Sequence, residues 1–479
     1  MKRAHQRAEL DAVVVGSGPN GLTAAAVLAA SGRSVLVLEG ASALGGGVRS
    51  GELTLPGFNH DLCAAVHPTG VLSPAFRELQ LKEHGLVWRT GRFSYAHPLD
   101  DGPAAVAGLS LDETAERLGV DGPAWRGLLS PFLGDPESMF ADLLAPLKLP
   151  SHPFTMARFG LRALRSARGL AESWFREEPA RALFAGCAAH GTQPLDNWLS
   201  AAVGLVFALS AHARDWPVAE GGSQAIADAL LSVVRGHGGR VETGRWVRSM
   251  DDLPPSKTVF FDLAAAQVAQ IAGDALPGGY CRRLQRFIYG PGSFKLDWAL
   301  DGPIPWSDPR VGEASTVHVG GTLDEIAAAE AAPWKGEHAD RPFLILCQQS
   351  ALDPTRAPEG KHTGYAYCHV PSGSDQDRTE AMEDQIERFA PGFRDRILAR
   401  RSWSPSQFEA HNPSFVGGAV TGGPALLTQL FTRPVARLNP YTTPNPRLFL
   451  CSQGTPPGGG VHGMCGYYAA KAALRRALS

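Results

Sequence analysis

The chain has 479 residues and a formal net charge of −2, from 45 Lys and Arg against 47 Asp and Glu. Hydrophobic residues make up 44% and charged residues 19%, which indicates a folded protein of two or more domains and excludes a disordered chain. The nearly neutral charge also argues against nucleic acid, and we expect no nucleic-acid partner.

The seven cysteines are widely spaced and form no CxxC pair, which argues against a disulfide framework and a structural zinc site. We predict no metal site and a reducing compartment. Residues 1–7 lack the apolar core of a signal peptide, and the longest charge-free segment, 197–213, is too short and polar to span a membrane. We therefore expect a cytoplasmic protein that at most lies on a membrane surface.

The first predicted elements form a β–α–β unit. A β-branched strand at 11–15 leads into a glycine-rich turn and an alanine-rich helix at 22–31, and a second strand at 34–39 ends in Glu39. The turn comprises Gly16, Ser17, Gly18, Pro19, Asn20 and Gly21. This order of strand, glycines, helix, strand and acid is the fingerprint of dinucleotide binding. It predicts that a pyrophosphate lies at the helix N-terminus and that Glu39 accepts the ribose hydroxyls.

Glycine-rich segments follow that unit and recur near the end of the chain. The segment after the second strand contains Gly45, Gly46, Gly47, Val48 and Arg49. A strand at 448–451 precedes the turn 454–464, which has a Pro-Pro-Gly-Gly-Gly core, and an alanine-rich helix follows. A second glycine match at 458–463 lacks the lead-in of a dinucleotide fold, so no separate NAD(P)H domain is predicted.

These segments resemble the glutathione-reductase-type flavoproteins of the amine oxidase and phytoene desaturase superfamily. Residues 190–195, 216–224 and 289–298 resemble its pyridine nucleotide–disulfide oxidoreductase-domain group. The resemblance implies FAD as cofactor, with backbone N–H groups of the 454–464 turn against the flavin ring. It also assigns cofactor contacts to Gly40, Val247, Gly454, Gly459, Gly460, Val461 and Met464, in addition to the glycine-rich residues above.

The same resemblance predicts an α/β fold in which a Rossmann FAD-binding domain is interleaved with an α+β substrate domain. The FAD-binding domain takes residues 1–95, 214–272 and 436–479. The substrate domain takes residues 96–213, mainly helical, and 273–435, in which strands are followed by helices at 375–388 and 393–400.

A basic amphipathic helix is predicted over 154–176. Arg158, Arg162 and Arg165 recur at helical spacing among apolar residues. Such a helix can lie on an anionic membrane, and the alternatives are a solvated arginine face or a contact with a second copy of the chain in a homodimer.

Lys295 is the candidate catalytic residue. It lies on a strand at 293–299 that resembles the strand on which amine oxidases hold a water near flavin N5 with a lysine. The alternative is that Lys295 pairs with an acid at the junction of the two domains. Weaker candidates are His318, His362, His369 and His411 as acids or bases, and Phe294, Trp298, Trp306 and Tyr365 as pocket residues.

The predicted function is that of an FAD-dependent dehydrogenase of the phytoene desaturase-like group. It would transfer hydride between an apolar, unsaturated small molecule and flavin N5, with oxygen, a quinone or a partner protein as electron acceptor. Two alternatives stay open: an amine or amino-acid oxidase that produces hydrogen peroxide, and a flavoprotein with a binding or structural role and no turnover.

Overall fold

The computed structural model describes residues 9–430 and 432–478. Its strands are β1 (Leu10–Val15), β2 (Val35–Leu38), β3 (Ser50–Glu52), β4 (Asn59–Asp61), β5 (Trp88–Arg89), β6 (Phe93–His97), β7 (Ala105–Ala107), β8 (Val218–Ala219), β9 (Arg240–Glu242), β10 (Ser256–Phe261), β11 (Gly292–Leu300), β12 (Ala314–Val319), β13 (Leu344–Cys347), β14 (His362–Val370), β15 (Ile397–Trp403) and β16 (Leu448–Leu450). Its α-helices are α1 (Pro19–Ala30), α2 (Pro68–Val71), α3 (Pro74–Glu78), α4 (Leu111–Arg117), α5 (Gly122–Leu129), α6 (Pro136–Leu143), α7 (Pro153–Ala163), α8 (Ala167–Trp174), α9 (Glu178–Ala189), α10 (Ser200–Arg214), α11 (Gln224–Gly236), α12 (Ala265–Ala272), α13 (Gly278–Gln285), α14 (Leu323–Ala331), α15 (Gln349–Leu352), α16 (Thr379–Phe389), α17 (Pro405–His411), α18 (Leu427–Leu430) and α19 (Met464–Arg476).

The first sheet is a parallel Rossmann sheet of five strands, in the order β16–β10–β1–β2–β9. Its central strands are short runs of Val, Leu and Phe that are buried on both faces, as a parallel sheet covered by helices requires. Helix α1 packs on this sheet beside α11 and the last helix, α19. There Gly466 lets α19 approach closely, because a Cβ at that position would lie 1.8 Å from the Asn20 carbonyl oxygen.

The second sheet has seven strands, in the order β15–β11–β14–β13–β12–β6–β7. All its pairs are antiparallel except β12 with β6. A group of helices that includes α5, α9 and α10 packs against this sheet around a core that includes Trp125, Phe184 and Trp216. This architecture confirms the predicted α/β class. The predicted boundary after residue 95 falls inside β6, which therefore belongs to the second sheet over its whole length.

Two predicted helices differ in the structure. Residues 397–400, predicted as the second half of a helix at 393–400, instead begin the edge strand β15. They pair along the backbone of β11, and this pairing outweighs the local preference of Leu398 and Ala399 for helix. The helix predicted over 154–176 is divided into α7 and α8, because Ser166 caps a new helix by accepting a hydrogen bond from the Gly169 N–H. No described helix is long and apolar enough to cross a membrane.

Candidate cofactor and substrate site

A cavity of about 1150 Å³ lies between the two sheets and is lined by residues of both. One end is formed by the turn after β1, the end of β2 and the 454–462 segment. The other end lies among α7, α9, α10 and the strands β12–β14. We call these the cofactor end and the substrate end. The volume exceeds the 300–1000 Å³ that is typical of one small-ligand pocket, so it suits a large cofactor together with a substrate.

The cofactor end begins at the N-terminus of α1. Ser17, Gly18, Pro19 and Asn20 line the cavity there, together with Gly16, whose φ of +99° is in the left-handed region that favours glycine. Since the first N–H groups of a helix have no partner within the helix, this end is suited to an anion such as a pyrophosphate.

Gly21 does not line the cavity but supports the turn from behind. A Cβ at Gly21 would lie 2.3 Å from the Gly16 carbonyl oxygen and 2.9 Å from Cβ of Asp262. The turn can therefore close only with glycine at this position, as the fingerprint predicts.

The second glycine segment lies directly against the first. The Gly45 N–H donates to the Ser17 carbonyl oxygen over 3.2 Å, and a Cβ at Gly46 would lie 3.0 Å from Cα of Gly18. Gly46, Gly47, Val48 and Arg49 line the cavity, whereas Gly45 shapes the turn from outside the lining.

Glu39 lines the cavity at the end of β2, as do Gly40 and Val247. Its carboxylate accepts hydrogen bonds from the Ser17 N–H at 2.9 Å and from the Ala41 N–H at 2.8 Å, which fix its orientation. Trp246 was not singled out by the sequence, yet its ring covers Gly40, where a Cβ would lie 2.6 Å from it. Trp246 therefore shapes the outer part of the cofactor end.

Asp262 is a second functional candidate that sequence reasoning missed. It follows β10, the strand beside β1, and its Oδ2 accepts a hydrogen bond from the Gly21 N–H at 2.8 Å. Burial raises the pKa of Asp262 to about 7, and the nearby Glu39 charge adds to that effect. Asp262 could have been predicted from the sequence, because an acid directly after a buried parallel strand lies at the carboxyl edge of the sheet, where ligands bind.

The turn near the C-terminus closes the cofactor end. Gly454, Gly459, Gly460 and Val461 line the cavity, and a Cβ at Gly459 would lie 2.3 Å from the Thr421 carbonyl oxygen. Met464 lies outside the lining, as the first residue of α19 in the core against the helices.

Arg433, which the sequence did not indicate, holds this turn in place. Its guanidinium is buried and donates to the carbonyl oxygens of Gly422 at 2.9 Å and Gln453 at 3.1 Å. Burial lowers the pKa of Arg433 to about 10, which still leaves it charged at neutral pH.

The substrate end is largely apolar. Its lining residues include Phe159, Val203, Val206, Phe207, Trp216 and Ile345. His190 faces the cavity among them, with its ring stacked on Phe207 at a centroid distance of 4.4 Å. Of the predicted pocket aromatics, Tyr365 lines the cavity, whereas Phe294, Trp298 and Trp306 lie in the core of the second sheet.

The four histidines proposed as acids or bases are scattered. His411 lines the cavity, and burial lowers its pKa to about 4. His318 lies behind His190 rather than on the lining. His369 is paired with Glu330 and His362 with Ser350, both outside the cavity lining.

Lys295 is buried behind Tyr365 and does not line the cavity. Its ammonium donates to Asp297 Oδ2 at 2.5 Å and to the Asp61 carbonyl oxygen at 3.0 Å, and it lies 4.4 Å from the centroid of the Tyr365 ring. Lys295 and Asp297 are two residues apart on β11, so both point to the same face of the sheet. The ion pair with an acid was the alternative that the sequence left open, and the catalytic role stays a prediction.

Comparisons with known proteins agree with this architecture. The profile of an NAD(P)-binding Rossmann-like domain matches residues 14–79. The chain is 27% identical to the pyridine nucleotide-disulfide oxidoreductase domain-containing protein 2 of Rattus norvegicus, over 98% of this chain and 94% of that protein. It is 26% identical to a neurosporene-forming phytoene desaturase of Rhodobacter capsulatus, over 51% of each chain.

Solved structures share the whole fold. An oxidoreductase from Methanosarcina mazei matches with a TM-score of 0.63 at 17% identity, over 97% of this chain and 100% of that one. A putrescine oxidase bound to putrescine matches with a TM-score of 0.61 at 15% identity, over 98% of each chain. The chain is thus similar in sequence to phytoene desaturases and shares its fold with amine oxidases. Its function must be assigned from the two ends of the cavity.

Proposed function

We propose that the protein is an FAD-dependent oxidoreductase that exchanges hydride with an apolar, unsaturated small molecule. The observation that carries this proposal is the single cavity, which runs from the glycine turns and Glu39, past the 454–461 turn, into an apolar end. Bound flavin would supply hydride transfer at its N5 atom.

The residues at the cofactor end fit a dinucleotide. Gly18 and Gly46 leave main chain exposed where a pyrophosphate would approach the N-terminus of α1. Glu39 lies at the end of the neighbouring strand with its carboxylate oriented by Ser17 and Ala41, which suits it to accept ribose hydroxyls. The N-terminus of α19 would favour negative charge on the flavin ring.

The apolar end supports a hydrocarbon-like substrate over an amine. Apart from His190, the side chains around Phe207 and Trp216 are mainly valine, isoleucine and aromatic residues, which would exclude water from the reacting carbon and orient it by shape. The electron acceptor would be oxygen, a quinone or a partner protein.

Titration of the flavin-free protein with FAD tests the cofactor. We expect tight binding to the wild type, weakened about tenfold by Glu39→Gln, whereas Glu52→Gln at the exposed end of β3 should not change the FAD affinity. Absence of FAD binding to the wild type would refute the proposal. Anaerobic bleaching of the flavin by alkene substrates and not by amines would then support the desaturase-like reaction, and peroxide release from amines would favour the oxidase alternative.

We further propose that the cavity receives its substrate from an anionic membrane. Large apolar side chains are exposed around α7: Leu147 at 81%, Leu149 at 88%, Phe154 at 94% and Leu161 at 74%. Leu147 also lines the cavity, so this surface adjoins its mouth. Arg158 is exposed on the same helix and adds positive charge. Arg162 is not part of that face, since it packs over the rings of Phe132 and Trp174.

Flotation with phosphatidylserine-containing vesicles tests this contact. The wild type should float with the vesicles and the triple variant Leu149→Ser, Phe154→Ser, Leu161→Ser should not, while Leu398→Ser at the edge of the second sheet serves as control. The opposite result is a wild type that fails to float and forms a dimer that the triple variant abolishes. That result would show that the exposed apolar residues contact a second copy of the chain and not a membrane.

A further inference from the structure

Two histidines meet at the substrate end of the cavity: His318 is fully buried, and His190 is partly exposed to the cavity. His190 ends helix α9 and His318 lies on β12, and their Nε2 atoms are 2.9 Å apart. The pKa of His190 is lowered to about 3 by burial, and burial likewise places the pKa of His318 well below its usual value. Both rings are therefore neutral at physiological pH, and a single proton lies between the two Nε2 atoms.

The other ring nitrogens have different surroundings. Nδ1 of His318 is fully buried, has no hydrogen-bond partner among the described residues, and lies beside Gly186, where a Cβ would come within 2.4 Å of it. Nδ1 of His190 also has no protein partner in residues 9–430 and 432–478, but His190 lines the cavity, so a ligand can reach this atom.

These surroundings select the tautomers of both rings. A buried N–H without a partner is rarer in proteins than an unpaired acceptor, so His318 keeps its Nδ1 bare and holds its proton on Nε2. That proton is donated to Nε2 of His190. His190 must then hold its own proton on Nδ1, which turns an N–H donor toward the cavity.

We propose that His190 is a specificity-determining residue that donates a hydrogen bond to a carbonyl oxygen of the substrate, with His318 as the residue that fixes its tautomer. The substrate class is an apolar ketone or aldehyde whose hydrocarbon body packs against Val203, Phe207 and Trp216. This inference rests on the proposed function, because it places that substrate in the same cavity as the cofactor. A fixed donor in an apolar wall discriminates strongly, since a ligand without an acceptor would leave the N–H unpaired.

The test compares two probes of nearly equal shape, 2-acetylnaphthalene and 2-isopropenylnaphthalene, which differ by C=O against C=CH₂. Their dissociation constants are measured on the FAD-loaded protein from the change in flavin absorbance. We expect the wild type to bind the ketone about tenfold more tightly, as one hydrogen bond in a dry site provides. His190→Phe should bring the ratio to near 1, and His190→Gln, which keeps an N–H donor, should retain part of it.

Phe207→Leu is the matched control, because Phe207 packs on His190 and lines the cavity without donating a hydrogen bond. Phe207→Leu should raise the dissociation constants of both probes by the same factor. In the infrared, the carbonyl stretch of the bound ketone should move to lower frequency in the wild type and return in His190→Phe.

An equal affinity of the wild type for the two probes, or a ratio that His190→Phe leaves unchanged, would overturn the inference. So would failure of both probes to bind the FAD-loaded protein. Each of these results is distinct from failure of the proposed function, which would show earlier as absence of FAD binding.

Discussion

The two ends of the cavity are built in different ways. At the cofactor end the wall consists mainly of main chain, brought close by Gly16, Gly18 and Gly46 within turns of consecutive residues. At the substrate end it consists of side chains such as His190, Phe207 and Ile345, which come from separate helices and strands. A wall of main chain requires glycine at particular positions of one short segment. A wall of side chains from separate elements imposes no such pattern on any one segment. The first type of site can therefore be recognised in a sequence, and the second only in a structure.

The largest expected effect concerns Lys295, which lies behind the cavity residue Tyr365 as a buried partner of Asp297. Lys295→Met should lower the free energy of unfolding by about 3–5 kcal/mol, because it leaves the Asp297 carboxylate buried without its cation. Urea denaturation measures this loss. The double variant Lys295→Met, Asp297→Leu should recover most of the stability.

The double variant also distinguishes a structural role of Lys295 from a catalytic one. If the double variant regains stability and also reacts with oxygen at the wild-type rate, Lys295 is a structural residue. If stability returns but reoxidation by oxygen stays roughly 100-fold slower, the catalytic role predicted from the sequence is correct.

Gly21→Ala should make the free energy of FAD binding less favourable by about 3 kcal/mol. The added methyl group would lie 2.3 Å from the Gly16 carbonyl oxygen, so the turn must shift. We expect FAD affinity to fall by about 100-fold. Gly236→Ala is the control, because a Cβ there meets nothing within 4 Å. FAD titration of both variants checks this, and equal affinities would mean that the turn tolerates a side chain.

Acid should destabilise the substrate domain through its neutral histidines. His97 on β6 is buried and its pKa is lowered to about 4 by burial. Unfolding restores the ordinary pKa near 6.5, so the unfolded state binds more protons and stability falls as the pH drops from 7 to 5. His97 accounts for about 2 kcal/mol of that loss. His97→Gln should therefore flatten the pH dependence by this amount in urea denaturation, while His237→Gln at an exposed position should not.

The cofactor end should respond to pH in the opposite direction. Burial raises the pKa of Asp262 to about 7, and its carboxylate contacts the turn where the pyrophosphate would lie. Above pH 7 the charge of Asp262 repels that anion, and below pH 7 protonation removes the repulsion. FAD affinity should thus rise by about tenfold from pH 8 to pH 6, and Asp262→Asn should abolish this dependence. A variant that keeps the wild-type profile would assign the effect to another group.

Features formed by residues adjacent in the chain could be predicted from the sequence, whereas features formed by distant residues could not. The β–α–β unit could be predicted because strand, glycines, helix and Glu39 are adjacent in the chain. The strand at 397–403 could not be predicted, and 393–400 was predicted as helix instead, because the strand depends on hydrogen bonds to β11, about 100 residues earlier. Likewise the lowered pKa values of His190 and His318 depend on burial by elements far from either in sequence.

The place of β16 and α19 in the Rossmann sheet has a consequence for biosynthesis. Strand β16 pairs with β10, and α19 packs on α1, so residues 19–30 acquire their final neighbours only after residues 464–476 have been synthesised. Helix α1 must therefore wait with an apolar face uncovered while more than 400 residues are added. FAD that reaches the nascent chain early would find only the part of the cofactor end that the turn after β1 supplies, because the 454–462 segment is still missing. During this interval chaperones can bind the uncovered face of α1.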